Sequence, residues 1–225
     1  MLIIIDKRIP EEAKRQLKQL GILAEVESTN SVYSSISGHP DIFVFQHQHQ
    51  LIISPQLNKE VVEALDDNSI NYSVGESLIG KSYPLTTAYN ISANAGLFIG
   101  CAKYADPKII REAQGKKWVE SPQAYARCNS LILNQDYIIT SEITVHKSHY
   151  NSLYINTKEI VLPGHNYGFI GGCMGINNRC LYVLGNLDRH SQGNEIRSYC
   201  KKSGYTIKEL YNGPLLDAGG IFFVE

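Results

Sequence analysis

Apolar and polar positions along this chain fall into a phrase that recurs five times. A helix-spaced apolar stripe ends at Gly or Asn, and a short β-patterned run follows. A loop then leads into two apolar runs split by a polar turn. The stripes predict helices beginning near Pro10, Lys59, Pro107, Thr144 and Asn194. The paired runs predict hairpins over 41–54, 90–101, 127–141 and 168–185. The fifth phrase is cut: the run from Gly219 to Glu225 has no mate after it, and Met1-Leu2-Ile3-Ile4-Ile5-Asp6 is the strand-like run left over.

The units differ in clarity. In the first, Pro10-Glu11-Glu12 opens the helix with acids in its first turn, Ala13, Leu17 and Leu20 form the stripe, and Gly21 stops it. A strand is expected over 22–27, then apolar runs at 42–45 and 51–53. The second unit predicts a helix at 59–67, a strand at 71–74 and a hairpin of 90–95 with 97–101. The third predicts a helix at 107–114, a strand at 116–120, and a hairpin of 128–133 with 137–140 turning at Asn134-Gln135-Asp136. The fourth is the least regular, with a weak helix at 145–154, a strand at 159–162, a Gly-rich strand at 168–172 and a strand at 180–184. The fifth predicts a helix at 194–202, capped by Gly204, and a strand at 205–210.

A period of roughly 40–50 residues is typical of ring and solenoid repeats, whose units cannot bury their apolar faces alone. The expectation is one α/β domain over 1–225, its last unit completed by the N-terminal strand. No linker or low-complexity run interrupts it.

Composition narrows the function classes. With 43% hydrophobic and 19% charged residues and a net charge of −1, the chain has no strong field for nucleic acid or a membrane surface. No apolar run approaches the ~18 residues of a membrane span. The five cysteines are odd in number and none has CxxC spacing, so a disulfide framework or zinc site is not expected and a reducing cytoplasm is. The fourteen tyrosines suit a pocket lining that is apolar with polar tips.

Rotationally related units put equivalent positions at one radius. The hairpin starts are Asp41, Asn90, Arg127-Cys128, Tyr167-Gly168 and Asp217. If they face the axis they form a polar ring in a central funnel, where loops from every unit converge. Asp41 and Asp217 would there grip a small cation through charge-assisted bonds, with Asn90, Arg127 and Tyr167 lining the same place. Cys128 beside the Arg127 cation is the candidate nucleophile, and His165 its base. Cys173, among glycines that allow close approach, is a second candidate nucleophile. His47 and His49 sit at a hairpin tip with no third ligand evident, so no metal and no cofactor is expected.

The phrases Tyr125-Ala126-Arg127-Cys128, Leu162-Pro163-Gly164, Tyr167-Gly168-Phe169-Ile170-Gly171-Gly172 and Leu216-Asp217-Ala218-Gly219-Gly220 carry a resemblance. With the repeat, they resemble the pentein family of guanidine-modifying enzymes, and more closely an uncharacterised bacterial family related to them. The resemblance implies a five-bladed pseudo-symmetric α/β propeller and a hydrolase or transferase acting on a guanidino or amino small molecule. It also implies a nucleophilic cysteine in the last unit and a histidine in the preceding one. Here 217–225 has no cysteine, and Cys200 lies on the preceding helix. The alternative is a small-molecule-binding or scaffold protein that keeps the ring without catalysis.

Overall fold

In the computed structural model, which describes residues 1–28, 30–134 and 136–225, the recurring phrase becomes a recurring sheet. Among the described residues five sheets have three strands and one has two. Each three-stranded sheet is an antiparallel pair extended by a parallel third strand. Val44–His47 pairs with Gln50–Ile53, and Ser73–Val74 joins in parallel. The next sheets combine Ser92–Ala93, Leu97–Gly100 and Lys117–Glu120, then Ser130–Ile132, Ile138–Thr140 and Ser152–Tyr154. A further one combines Met174–Asn177, Cys180–Val183 and Thr206–Glu209. The last joins the two ends of the chain: Leu2–Asp6 lies between antiparallel Phe222–Val224 and parallel Ile22–Val26, with Leu2 opposite Val224.

A parallel third strand cannot follow a tight turn; it needs a crossover, and a helix supplies it. Glu11–Lys18, Lys59–Asp67, Pro107–Glu112, Ile143–Ser148 and Gly193–Lys202 all stand between the second and third strands of their sheets. Local chemistry fits these helices. Glu11 and Glu12 occupy the first turn of Glu11–Lys18, and Arg15 and Lys18 the last. Asp106 caps Pro107–Glu112 by accepting from the Lys108 backbone N–H.

Burial follows the two periods. Leu2, Ile3, Ile4 and Ile5 are all fully buried. Alternation sends Leu2 and Ile4 into one apolar cluster with Phe43, Phe45 and Val61. Ile3 and Ile5 enter another with Leu17, Leu184 and Phe223. A strand apolar on both faces is what a sheet covered on both sides requires.

Three expectations need correction. In the fourth unit the helix ends at Ser148 and Ser152–Tyr154 is the third strand. The run expected as that strand supplies Ile160–Val161, which pairs in parallel with Leu215–Leu216 in the two-stranded sheet. Second, several hairpin starts read as strand are single helical turns: Pro40–Phe43, Ala126–Asn129 and the 3₁₀ turn Gly171–Cys173. Third, the Gly-rich run 168–172 is therefore not strand, which begins at Met174. The turn expected at Asn134-Gln135-Asp136 includes Gln135, which lies outside the described residues. No helix among the described residues is long and apolar enough to cross a membrane.

Candidate functional site

The hairpin starts meet. Pro at the first position of Pro40–Phe43 fixes a helical turn that buries Asp41 completely, and the Asp41 backbone N–H donates to the Gly219 carbonyl (3.3 Å). Asn90 ties three starts together. Its Nδ2 donates to the Asp41 carbonyl (3.1 Å) and lies 3.3 Å from Cys128 Sγ. Its Oδ1 accepts from the backbone N–H groups of Arg127 (2.8 Å) and Cys128 (3.2 Å). Cys128 Sγ donates to Asp41 Oδ2 at 2.6 Å. From the last unit, the Ala218 and Gly220 N–H groups donate to the Gly172 carbonyl.

Asp217 is gripped by backbone: Phe169 N–H donates to Oδ2 (2.8 Å) and Gly219 N–H to Oδ1 (3.2 Å). His39 Nδ1 stands 3.8 Å from Asp217 Oδ1, too far for a hydrogen bond. Two glycines make this packing possible. A Cβ on Gly172 would lie 1.9 Å from Asp217 Oδ1, and one on Gly219, whose φ is +71°, would lie 2.4 Å from the His39 Cβ.

A cavity of about 310 Å³ opens above this cluster, lined by His39, Cys128, Asp217 and His165 with walls of Tyr33, Tyr125, Tyr167 and Phe169. His165 Nε2 is held by Ser35 Oγ (2.8 Å), and its ring lies beside Tyr33. The Tyr33 and Tyr125 hydroxyls share a hydrogen bond (2.6 Å), and Thr86 bonds Tyr125 from behind.

Burial dominates the electrostatics. It pushes the Cys128 thiol well up, and the charges of Asp41 and Asp217 push it further. It also raises Asp41, opposed by the Cys128 hydrogen bond and by Arg127. It carries Asp217 from 3.8 to about 6, with His39 opposing. His39 is lowered by the same burial, so it sits neutral at neutral pH. Two buried polar atoms of this cluster, Asp41 Oδ1 and His39 Nδ1, have no hydrogen-bond partner among the described residues. Two carboxyl groups, a thiol and a neutral imidazole therefore share one dry spot. A cationic ligand would pair the carboxylates, and its charge would oppose all three upward shifts.

Asp41, Asn90, Cys128 and Asp217 come together, and His165 faces the same cavity. Tyr167 stands at the cavity wall, 46% exposed. Arg127 was expected to activate Cys128 and line the cavity. Its guanidinium instead donates to the carbonyls of Gly171 (2.7 Å) and Met174 (3.0 Å) and lies over the Phe222 ring. Adjacent residues on a helical turn project in different directions, so the two side chains make separate hydrogen bonds although their charges still interact. Cys173 does not line the cavity. It is buried in an apolar cluster with Met174 and Leu181, its Sγ bonded to the Phe169 carbonyl (3.3 Å) and its thiol pushed well up by burial. Cys200 packs in the same cluster. His39 had no assigned role in the sequence, although it adjoins Pro40-Asp41 at a hairpin start. For Tyr33 the sequence carried no signal. Among the described residues no group of three His, Cys, Asp or Glu side chains could hold a metal ion.

The family described as "Family of unknown function (DUF6873)" matches residues 4–222. No curated protein matches the chain. Solved structures do. A mutant of DDAH from Pseudomonas aeruginosa, complexed with citrulline, has 11% identity over 93% of this chain and 91% of that one, with a TM-score of 0.51. Agmatine deiminase of C. jejuni has 10% identity over 95% and 78% of the two chains, with a TM-score of 0.54. A dimethylarginine dimethylaminohydrolase adduct with S-methyl-L-thiocitrulline has 10% identity over 93% and 91%, with a TM-score of 0.53. At such identities the likeness is one of fold: a mixed α/β architecture with pentein neighbours.

Proposed function

The chain belongs to the DUF6873 family, and we propose that it is a cysteine-dependent enzyme acting on a small guanidino or amino compound held above Cys128. We further propose that residues 1–225 form one domain, a five-bladed α/β propeller whose last blade is completed by Leu2–Asp6. Five repeated sheets and the meeting of their hairpin starts support that ring. The five free cysteines support a reducing cytoplasm.

The observation that carries the enzyme reading is the bond from Cys128, which lines the cavity with His39 and Asp217, to the fully buried Asp41, beside an unpartnered Asp41 oxygen and an unpartnered His39 nitrogen. A guanidinium entering there pairs with Asp217 and Asp41. Its charge lowers the thiol pKa, and the Cys128 proton passes along the existing bond to Asp41 Oδ2. The thiolate attacks the guanidinium carbon and forms a C–S bond. The leaving nitrogen takes the proton from Asp41, the C–N bond breaks, and an amine departs. Water then adds to the same carbon, giving its proton to His39 or His165, and the C–S bond breaks to leave a ureido compound. The imidazole returns its proton to sulfur. An amine in place of water makes the same chemistry a transfer.

The test is mass spectrometry of the protein with a panel of guanidino compounds, alongside ureido product formation. A mass adduct on Cys128 and loss of product by at least about a thousandfold in Cys128→Ser are expected. Full activity in Cys128→Ser overturns the mechanism. The second reading, a binding protein without catalysis, is favoured by the strongly raised Cys128 thiol. It predicts tight cation binding with no adduct and no product.

A further inference from the structure

We infer that the cation taken by this site is carried on an apolar body that bears no carboxylate. The inference rests on the cation-binding reading above and concerns the rest of the ligand. Among the described residues lining the cavity there is no Lys or Arg. The two nearby basic side chains are committed. Arg127 points to the Gly171 and Met174 carbonyls and the Phe222 ring. Arg8 spends its donors on Asp6 and on the carbonyls of Ser34 and Ser35. The backbone N–H groups of Phe169 and Gly219 are taken by Asp217.

A carboxylate on the ligand would find the neutral amides of Gln123 and Asn166 but no Lys or Arg in the lining, and it would sit close to the Asp217 carboxyl. Burying an unpaired charge beside like charges is among the most costly things a binding site can do. The walls offer the opposite chemistry. Tyr33 and Tyr125 point their hydroxyls at each other, which leaves their rings as the surface a ligand meets. Tyr83 lies tilted against Tyr125 with ring centroids 5.6 Å apart, outside the cavity lining. Tyr167 packs edge-on against Phe169 on the other wall. An aromatic wall above an anionic floor favours a cation with an alkyl or aryl body, through burial and cation–π attraction. The cavity volume, at the small end for ligand pockets, fits one such group with its chain.

The experiment is calorimetric titration of the full chain, carrying Cys128→Ser to prevent turnover, with three probes: butylguanidine, phenethylguanidine and 4-guanidinobutanoate. The first and third differ by the carboxylate. At least about tenfold weaker binding of 4-guanidinobutanoate than of butylguanidine is expected, with phenethylguanidine the tightest. Tyr167→Arg, at an exposed wall position, is expected to narrow the ratio of butylguanidine to 4-guanidinobutanoate affinity about tenfold by supplying the missing cation. Equal or tighter binding of 4-guanidinobutanoate by the Cys128→Ser chain overturns this inference while leaving the cation site standing. Failure of all three guanidines to bind overturns the cation site and this inference with it.

Discussion

At the scale of single residues, Asp217 sets the pH behaviour. Its carboxyl is raised in the folded chain from 3.8 to about 6 by burial. A raised carboxyl contributes stability that is complete below its unfolded pKa and is lost as pH rises through the folded one. Stability without ligand should therefore fall between about pH 4 and pH 6, by up to about 3 kcal/mol for this group. Asp217→Asn should flatten that part of the profile, as denaturant titrations at pH 4, 5, 6 and 7 would show. An unchanged slope would mean that Asp217 is not the group responsible. Cation affinity has the opposite sign and should rise through pH 6, because only the ionised carboxylate pairs with it. This coupling was half legible in the sequence. Asp41, Asn90, Cys128 and Asp217 could be picked out because each stands where an apolar run begins. The direction of Arg127 and the orphaned nitrogen of His39 could not, since both depend on backbone from other units arriving beside them.

At the scale of elements, the helical turns at the hairpin starts decide which side chains meet. They are one turn long, too short for any periodicity to reveal, and are held by bonds from distant segments: Asn90 Oδ1 to the Arg127 and Cys128 N–H groups, and the Gly219 carbonyl to Asp41. By contrast, Lys59–Asp67 carries its own stripe and was legible to the residue. The fourth unit misled because Glu159–Leu162 is apolar enough for a strand, and its partner, Leu215–Leu216, lies over fifty residues away. The glycine beside the catalytic candidates gives a sharp test. Gly172→Ala would place a methyl group 1.9 Å from Asp217 Oδ1, against a side chain fixed by two backbone N–H groups. A loss of about 1–3 kcal/mol or more is expected by chemical denaturation. Gly96→Ala, with open space around the added carbon, should be close to neutral.

At the scale of the whole molecule, the two ends of the chain hold one sheet together. Leu2–Asp6 is the middle strand of its sheet, and four of its side chains are fully buried. Each is worth roughly 1.5–3 kcal/mol, so together they rival the stability of an ordinary domain. Removal of residues 1–6 should abolish the cooperative melt seen by circular dichroism. Ile22→Ser, at an exposed position of the neighbouring strand, should leave it nearly unchanged. A truncated chain that still melts cooperatively would show that the sheet can close without its centre.

That pairing also has a consequence for biosynthesis. The strand Leu2–Asp6 is followed at once by its parallel neighbour Ile22–Val26 as the chain is made. Its other edge waits for Phe222–Val224. At roughly 5–20 residues per second, one side of an isoleucine-rich strand stays unpaired for about 10–45 s of translation. During that interval the growing chain presents an open, sticky edge to chaperones and to neighbouring nascent chains, until Phe222–Val224 emerges to cover it.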